Sequence, residues 1–472
     1  MVNVLKKYPL INICLSICLY FTLISTAYMA WVYHVTDLLP SRGADFISLV
    51  AAYLMQAAGI GIFALVLNRR KEYVRNYVSL GLAVHLMLLF PALLTEKPPW
   101  VILFGLVMNL VSGFISGYYL YLFSTEGDRK CKGLTLGLGY SASIFLSWLL
   151  SFLTGKSGCA AEFTLVTVIA LSAGGVVLTY SQVDSYERHR ALGQSDYQAE
   201  LTGTYRRLEN AAGQHSWSGI ILPAGLLIVL FGIVMNCGYT FSAADIDQGI
   251  SIEFSRLFYA AALLIAGFIN DRSRIYGSVL ALAFLTSPFV LYAMRGEAVG
   301  ALFFWALSYF SLGFFTIYRI LLFSDMSKER GLLPVCSLGL VFGRMGDALG
   351  EGLCLGLASH FPVLLFVTSC LFICTVFLFF RVSMHIYQHG LEEEKQMVDA
   401  RALFNTFSAE YALSAREREV LQFLLEEKSN IEIAEELAIS ESTVKFHIHN
   451  LLQKTGEKNR VALIASYYSR NL

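Results

Sequence analysis

Up to about residue 380 the chain alternates long apolar runs with short polar stretches. The runs cover approximately 10–33, 44–67, 77–95, 100–123, 134–153, 160–180, 218–241, 252–269, 276–294, 298–323, 332–357 and 361–380. A helix of about twenty residues, rising about 1.5 Å per residue, crosses roughly 30 Å of hydrocarbon. Twelve spanning helices are therefore expected, six on each side of the polar stretch 181–217. Beyond residue 380 the apolar residues recur every three or four positions among charged ones, the period of a soluble amphipathic helix. The pattern predicts an all-α fold. A polytopic twelve-helix bundle of two six-helix halves (1–180 and 218–380) surrounds a central loop (181–217). A linker helix (381–408) leads to a soluble helical domain (409–472).

Composition agrees with lipid as the solvent of the first part. The chain is 56% hydrophobic and 15% charged, whereas soluble domains carry about 25% charged residues. The formal net charge of zero averages two unlike parts and says little about partners. Lys6 and Lys7 precede the first run as in a signal peptide. That run, Leu10 to about Val32, is longer than a signal segment's apolar core, so an uncleaved first span is expected. None of the nine cysteines forms a CxxC pair and most lie in apolar runs. They read as small packing residues, not as a disulfide or metal framework.

An even number of spans puts both termini on one side. Lys6, Lys7, Arg69, Arg70, Lys71, Arg75, Arg129, Lys130, Lys132, Arg188, Arg190, Arg206, Arg207, Arg272, Arg274, Lys328 and Arg330 share that side. Only Arg42, Lys97, Lys156 and Arg295 lie opposite. Seventeen against four places both termini and the central loop in the cytoplasm by the positive-inside rule. The halves also repeat. Gly113-Phe114, Tyr118 and Leu122-Phe123-Ser124 match Gly313-Phe314, Tyr318 and Leu322-Phe323-Ser324 at an offset of 200. Parallel six-helix repeats belong to a large transporter architecture. Gly267-Phe268-Ile269-Asn270-Asp271-Arg272-Ser273-Arg274 resembles the GxxxDRxGR loop motif of the major facilitator superfamily, with Ala64 and Asn68 replacing its glycine and aspartate in the first half. The resemblance implies the fold for residues 10–380. It does not imply transport.

In the C-terminal domain, Ser414 to Glu417 and Ser429 to Glu432 have the spacing of capping boxes. Ile439-Ser440 breaks the second helix, and Ser440 can cap a third that runs to about Lys454. A short turn before a helix rich in Lys, His and Asn is the arrangement that enters a major groove. At about 100° per residue, Val444, Ile448 and Leu451 form a core stripe. Ser442, Lys445, Phe446, His449 and Gln453 form another face, the candidate for reading bases. Thr443, Asn450, Lys454, Lys458 and Arg460 are candidate backbone clamps. Residues Leu413–Leu421, Ile433–Leu437, Ile439–His447, Asn450–Lys454 and Asn459-Arg460 resemble the LuxR-type (GerE/FixJ C-terminal) domain, with Thr455 where leucine is usual. The resemblance implies a four-helix DNA-binding domain that dimerises through its last helix, about Arg460–Tyr468. From Ala409 onward acidic residues outnumber basic ones ten to eight, but from Ser440 the balance is five basic to two acidic. Positive charge therefore gathers on the DNA-facing half.

Arg344, Asp347 and Glu351 share one face of the eleventh run. In lipid each costs about 2.5–3.5 kcal/mol unless compensated. Two readings remain open: an internal ion pair holding the bundles, or a ligand-binding site with Arg344 facing an anionic group. Gly339, Gly343, Gly346 and Gly350 form a stripe that admits close helix approach. His34, His85, Asn109 and Asn236 read as packing residues, and Arg319 as a side chain that snorkels to the cytoplasmic interface. The linker run Leu391–Phe404 fits either a coupling or a dimerising helix. There is no phosphate-binding glycine loop, metal spacing, histidine-kinase core or receiver domain. No catalytic residue, metal or cofactor is expected. The expected function is a membrane-embedded one-component transcription regulator, the alternative a secondary transporter with a regulatory tail. The expected partners are double-stranded DNA, the lipid bilayer, an unknown small-molecule ligand and a second copy of the chain.

Overall fold

A computed structural model of the protein describes residues 9–69, 73–126, 131–154, 161–181, 218–237, 252–293, 298–329, 333–357, 359–426, 428–437 and 439–469. The expected central loop beyond Ser181 lies outside them. So do Lys6, Lys7, Arg70, Lys71, Arg129, Lys130, Lys156, Arg295 and Arg330. Among the described residues every regular element is helical. The chain divides into two compact units, Met1–Tyr186 with Ser216–Ser383, and Glu187–His215 with Met384–Leu472.

The first unit contains α1 (Pro9–Leu38), α2 (Ser41–Arg69, with a π-helical turn at Phe46–Ala51), α3 (Val74–Leu94), α4 (Pro98–Glu126), α5 (Lys132–Thr154) and α6 (Ala161–Ser181). After the central loop come α7 (Ser218–Asn236), α8 (Ile252–Arg272), α9 (Arg274–Phe284 and Ser287–Ala293), α10 (Ala298–Glu329), α11 (Leu338–Leu357, preceded by a 3-10 turn at Leu333–Ser337) and the start of α12 (Phe361–Glu410). Among the described residues eight helices are long and apolar enough to cross a membrane. The described parts of the other four apolar runs are helical too, but shorter, broken, or interrupted by charge. Leu222, Phe366, Ile373 and Phe377 are largely exposed, as lipid-facing positions are.

Small residues bring the helices together. A Cβ on Gly113 would strike the backbone of Gln56 on α2, and one on Gly59 that of Leu110 on α4. At the matching place in the second half, Gly313 seats Ala262 and Leu263 of α8. The halves join where Gly133 and Gly137 of α5 face Gly267 and Leu263 of α8, and where α11 packs on α2. The glycine stripe of α11 serves two neighbours: Gly339 and Gly343 meet Arg319 of α10, while Gly346 and Gly350 meet Val229 and Ile233 of α7.

The facilitator-like loop closes one end of this bundle. Asp271 accepts from the backbone N–H groups of Gly133 (2.6 Å) and Leu134 (2.7 Å), capping α5. Arg274 donates to Asp271 (3.3 Å) and to Asp325 of α10 (2.9 Å). Lys132, fully buried, donates to Ser324 Oγ (2.9 Å) and pairs with Asp325 (3.4 Å). The repeat partners Ser124 and Ser324 meet hydroxyl to hydroxyl at 2.9 Å.

The second unit holds the end of α12, then α13 (Ala415–Leu425), α14 (Asn430–Glu436), α15 (Glu441–Thr455) and α16 (Arg460–Ser469). Both capping boxes form, with Ser414 N–H on Glu417 and Ser429 N–H on Glu432, each at 2.7 Å. Ser440 caps α15, which ends at Gly456 in the left-handed region (φ 73°). The core contains Val420, Leu421, Leu424, Ile433, Val444, Leu451, Leu463 and Tyr467. It extends back into α12, because Phe407 is buried in it and Leu403 and Phe404 pack against it.

Candidate DNA-binding surface and central cavity

On α15 the apolar stripe divides as its period requires. Val444 and Leu451 are fully buried, and Ile448 is half-buried. The opposite face presents Ser442, Lys445, Phe446, His449 and Gln453 to solvent, with Phe446 60% exposed. A phenyl ring is a group that can meet a thymine methyl in a major groove. Lys445 pairs with Glu441 at 2.8 Å. Such an exposed pair is worth about 0.5 kcal/mol, so phosphate or guanine can displace it. Thr443 and Asn450 are half-buried beside this face, and Lys458 is exposed. Lys454 and Arg460 are committed elsewhere. Lys454 donates to Glu417 (2.7 Å) and to the Ala412 carbonyl (2.9 Å), and Arg460 donates to the Lys428 carbonyl (2.6 Å). Both tie the domain together, so a clamp role has to compete with these bonds. Thr455, the departure from the usual leucine, returns its hydroxyl to the Leu451 carbonyl at 2.7 Å.

Within the membrane unit, the charged face of α11 meets α7 and α10. Asp347 is buried, accepts from Asn236 (2.9 Å), and pairs through one oxygen with Arg319 (3.2 Å) and Arg344 (3.5 Å). The Arg344 guanidinium lies over the Tyr53 ring at 4.6 Å. Glu351, one turn beyond, is also buried. Arg319 corrects an expectation. It is 3% exposed and does not snorkel, because Asp347 compensates its charge inside the bundle. Of the candidate ligand residues, Arg344 lines a cavity between the halves and Asp347 and Glu351 are absent from its lining. Arg319, Tyr119, Tyr140 and Tyr259 line it too. The Tyr119 and Tyr140 hydroxyls bond at 2.9 Å, and Tyr259 bonds Thr316 at 3.1 Å. Free space is about 20 Å³, room for a water or so.

The sequence of the second unit has known relatives. Residues 411–467 match the family of bacterial regulatory proteins, luxR family. Spore germination protein GerE of Bacillus subtilis is 50% identical over 54 residues, which are 11% of this chain and 73% of that protein. The chain belongs to the luxR family. A probable transcriptional regulatory protein, SgaR of Hyphomicrobium methylovorum, is 43% identical over 60 residues. Those residues are 13% of this chain and 28% of SgaR. The membrane unit of this luxR-family protein has the major facilitator fold. The proton:xylose symporter XylE aligns at 12% identity with a TM-score of 0.56, over 79% of this chain and 95% of that one. The chain is thus a multi-pass membrane protein joined to a LuxR-type helix-turn-helix, the DNA-binding domain of a transcription regulator.

Sequence reasoning missed several residues in and around the luxR-family protein's cavity. Asn236 holds Asp347 and is more than packing. His34, by contrast, bonds the Thr95 carbonyl at 2.9 Å, and Asn109 is satisfied by Gln56 and the Gly105 carbonyl. His85 contacts Ser112 at 3.0 Å. The tyrosines gave no signal, since an aromatic residue in an apolar run looks the same whether it faces lipid or a cavity.

Proposed function

We propose that the protein is a membrane-embedded one-component transcription regulator without catalytic activity. A small molecule binds the central cavity, and the resulting change in bundle packing alters how the LuxR-type domain engages DNA. The observation that carries this reading is the cavity. It holds buried Arg319 and half-buried Arg344 between two halves, in the same chain as a DNA-binding domain whose α15 face is exposed. Both termini lie in the cytoplasm, as the bias of seventeen basic residues against four supports. The domain acts as a homodimer through α16, where Val461 is 75% and Tyr468 44% exposed while Leu463 and Tyr467 face inward. The test is transcript profiling of cells with and without the gene, followed by footprinting of the full chain in membranes on the responding promoters. Ligand-dependent footprints support the reading. A chain that never protects DNA overturns it.

A second reading, a secondary transporter with a regulatory tail, is favoured by the retained Asp271–Arg274–Asp325 contacts. Saturable, gradient-dependent uptake by cells expressing the full chain distinguishes it.

A further inference from the structure

We propose that the cavity's ligand is a small aromatic carboxylate. This rests on the reading of the cavity as the input site and goes on to its chemistry. Among the described lining residues the charged groups are Arg319 and Arg344, and the others are hydroxyl, amide or apolar. Both guanidiniums converge on Asp347 Oδ2, at 3.2 and 3.5 Å. The carboxylates of α11, Asp347 and the buried Glu351, lie outside the lining, so the wall itself presents two guanidiniums. Arg319 also carries an unmet donor: it is 3% exposed, and among the described residues nothing accepts from its Nε–H. A buried donor without an acceptor is costly, and the natural partner of a guanidinium edge is a carboxylate oxygen.

The rest of the wall selects the body of the ligand. Phe21, Tyr119, Tyr140 and Tyr259 offer ring faces and edges, with Tyr119 and Tyr140 edge-to-face at 6.1 Å. Such surfaces suit a flat apolar group. A cationic ligand would meet two guanidiniums. With about 20 Å³ free, a ring cannot enter the closed bundle. Binding therefore requires the halves to part. Ser124–Ser324 and Lys132–Asp325 close one end, and Arg256 bridges Ser25 (3.4 Å) and Ser147 (3.3 Å) elsewhere between the halves. Ligand entry and bundle rearrangement are then one event, as a sensor needs.

The experiment uses the purified full chain in detergent with four probes: benzoate, its neutral isostere benzamide, benzylamine and formate. Thermal stabilisation is read up to about 10 mM, where ligands of this size bind. Benzoate is expected to stabilise saturably. The other three should be weaker by about tenfold or more, the worth of a charge-assisted bond or of a ring. Arg344→Gln should erase the preference for benzoate over benzamide. If that variant fails to accumulate, the wild-type ratio decides alone. Equal effects of benzamide and benzoate overturn the anion, and equal effects of formate overturn the aromatic body. No stabilisation by benzoate overturns the proposal as a whole. A promoter reporter separates this from the function it rests on. Carboxylate binding with an unresponsive reporter leaves the ligand class standing and sinks sensing. Induction by a neutral molecule that needs Arg344 does the reverse.

Discussion

Glu417 joins three parts of the DNA-binding domain through one carboxylate. It completes the cap of α13 by accepting from Ser414 N–H and holds Lys454 of α15, both at 2.7 Å. Burial pushes this carboxyl up, but Lys454 and Ser414 outweigh burial and hold it below its ordinary value of 4.5. A carboxyl with a depressed folded-state value adds stability that is fully present above its unfolded value. That stability is lost as pH falls through the folded one. Urea unfolding of residues 401–472 should therefore show stability declining below about pH 4.5. Glu417→Gln should flatten that decline and cost about 1–2 kcal/mol at neutral pH. An unchanged pH profile would remove Glu417 from this role. On α15, Lys445→Ala and His449→Ala should each weaken operator binding by about 1–3 kcal/mol with little change in stability. Lys454→Ala should instead lower stability first, because its ammonium is tied to Glu417. Equal losses on random DNA for Lys445→Ala and His449→Ala would mark phosphate contacts and break the face assignment.

Helix faces set the next level of constraint. On α11, a Cβ at Gly346 would sit 2.5 Å from the Val229 carbonyl, whereas one at Gly352 meets nothing within 4 Å. Gly346→Ala should reduce membrane abundance, since overpacking costs about 1–3 kcal/mol. Gly352→Ala should be neutral or slightly stabilising, because alanine favours the helix. Quantitative blotting of membrane fractions decides, and equal abundance would contradict the close α7–α11 packing. The end of α12 belongs to the DNA-binding fold. Phe407 is 1% exposed and packs edge-on to Tyr467 at 5.2 Å. A fragment starting at residue 401 should outlast one starting at 412, and Phe407→Ala in the longer one should cost about 3–5 kcal/mol.

Across the whole membrane unit, the repeat becomes visible as contact. Ser124 and Ser324, two hundred positions apart, share a hydrogen bond at 2.9 Å. Cysteines at both positions should cross-link under mild oxidation and hold that end shut. With a protease site placed in the central loop, gel mobility after cleavage reports the link. The cross-linked protein should no longer respond to inducer in a promoter reporter. Failure to cross-link would contradict the closed contact. Reporter fusions after Arg381 and within 182–217 should both read as cytoplasmic, and an external signal from either would break the topology.

What the sequence determined by itself was local or periodic. Helices, serine caps and the α15 stripe depend on residues three or four apart, so spacing alone specifies them. The helix-turn-helix was therefore legible down to Ser414, Ser429 and Ser440. The repeat and the loop motif carried the facilitator fold because they are patterns along the chain. Tertiary structure alone decided which charges meet. Arg319 and Asp347 are 28 positions apart on different helices, and Lys454 and Glu417 are 37 apart. No period links such pairs. Arg319 thus read as snorkelling until helix packing placed Asp347 beside it, and no spacing showed that Lys454 is held by Glu417. The tyrosines of the cavity were hidden for the same reason: which side of an apolar helix faces a cavity is set by its neighbours.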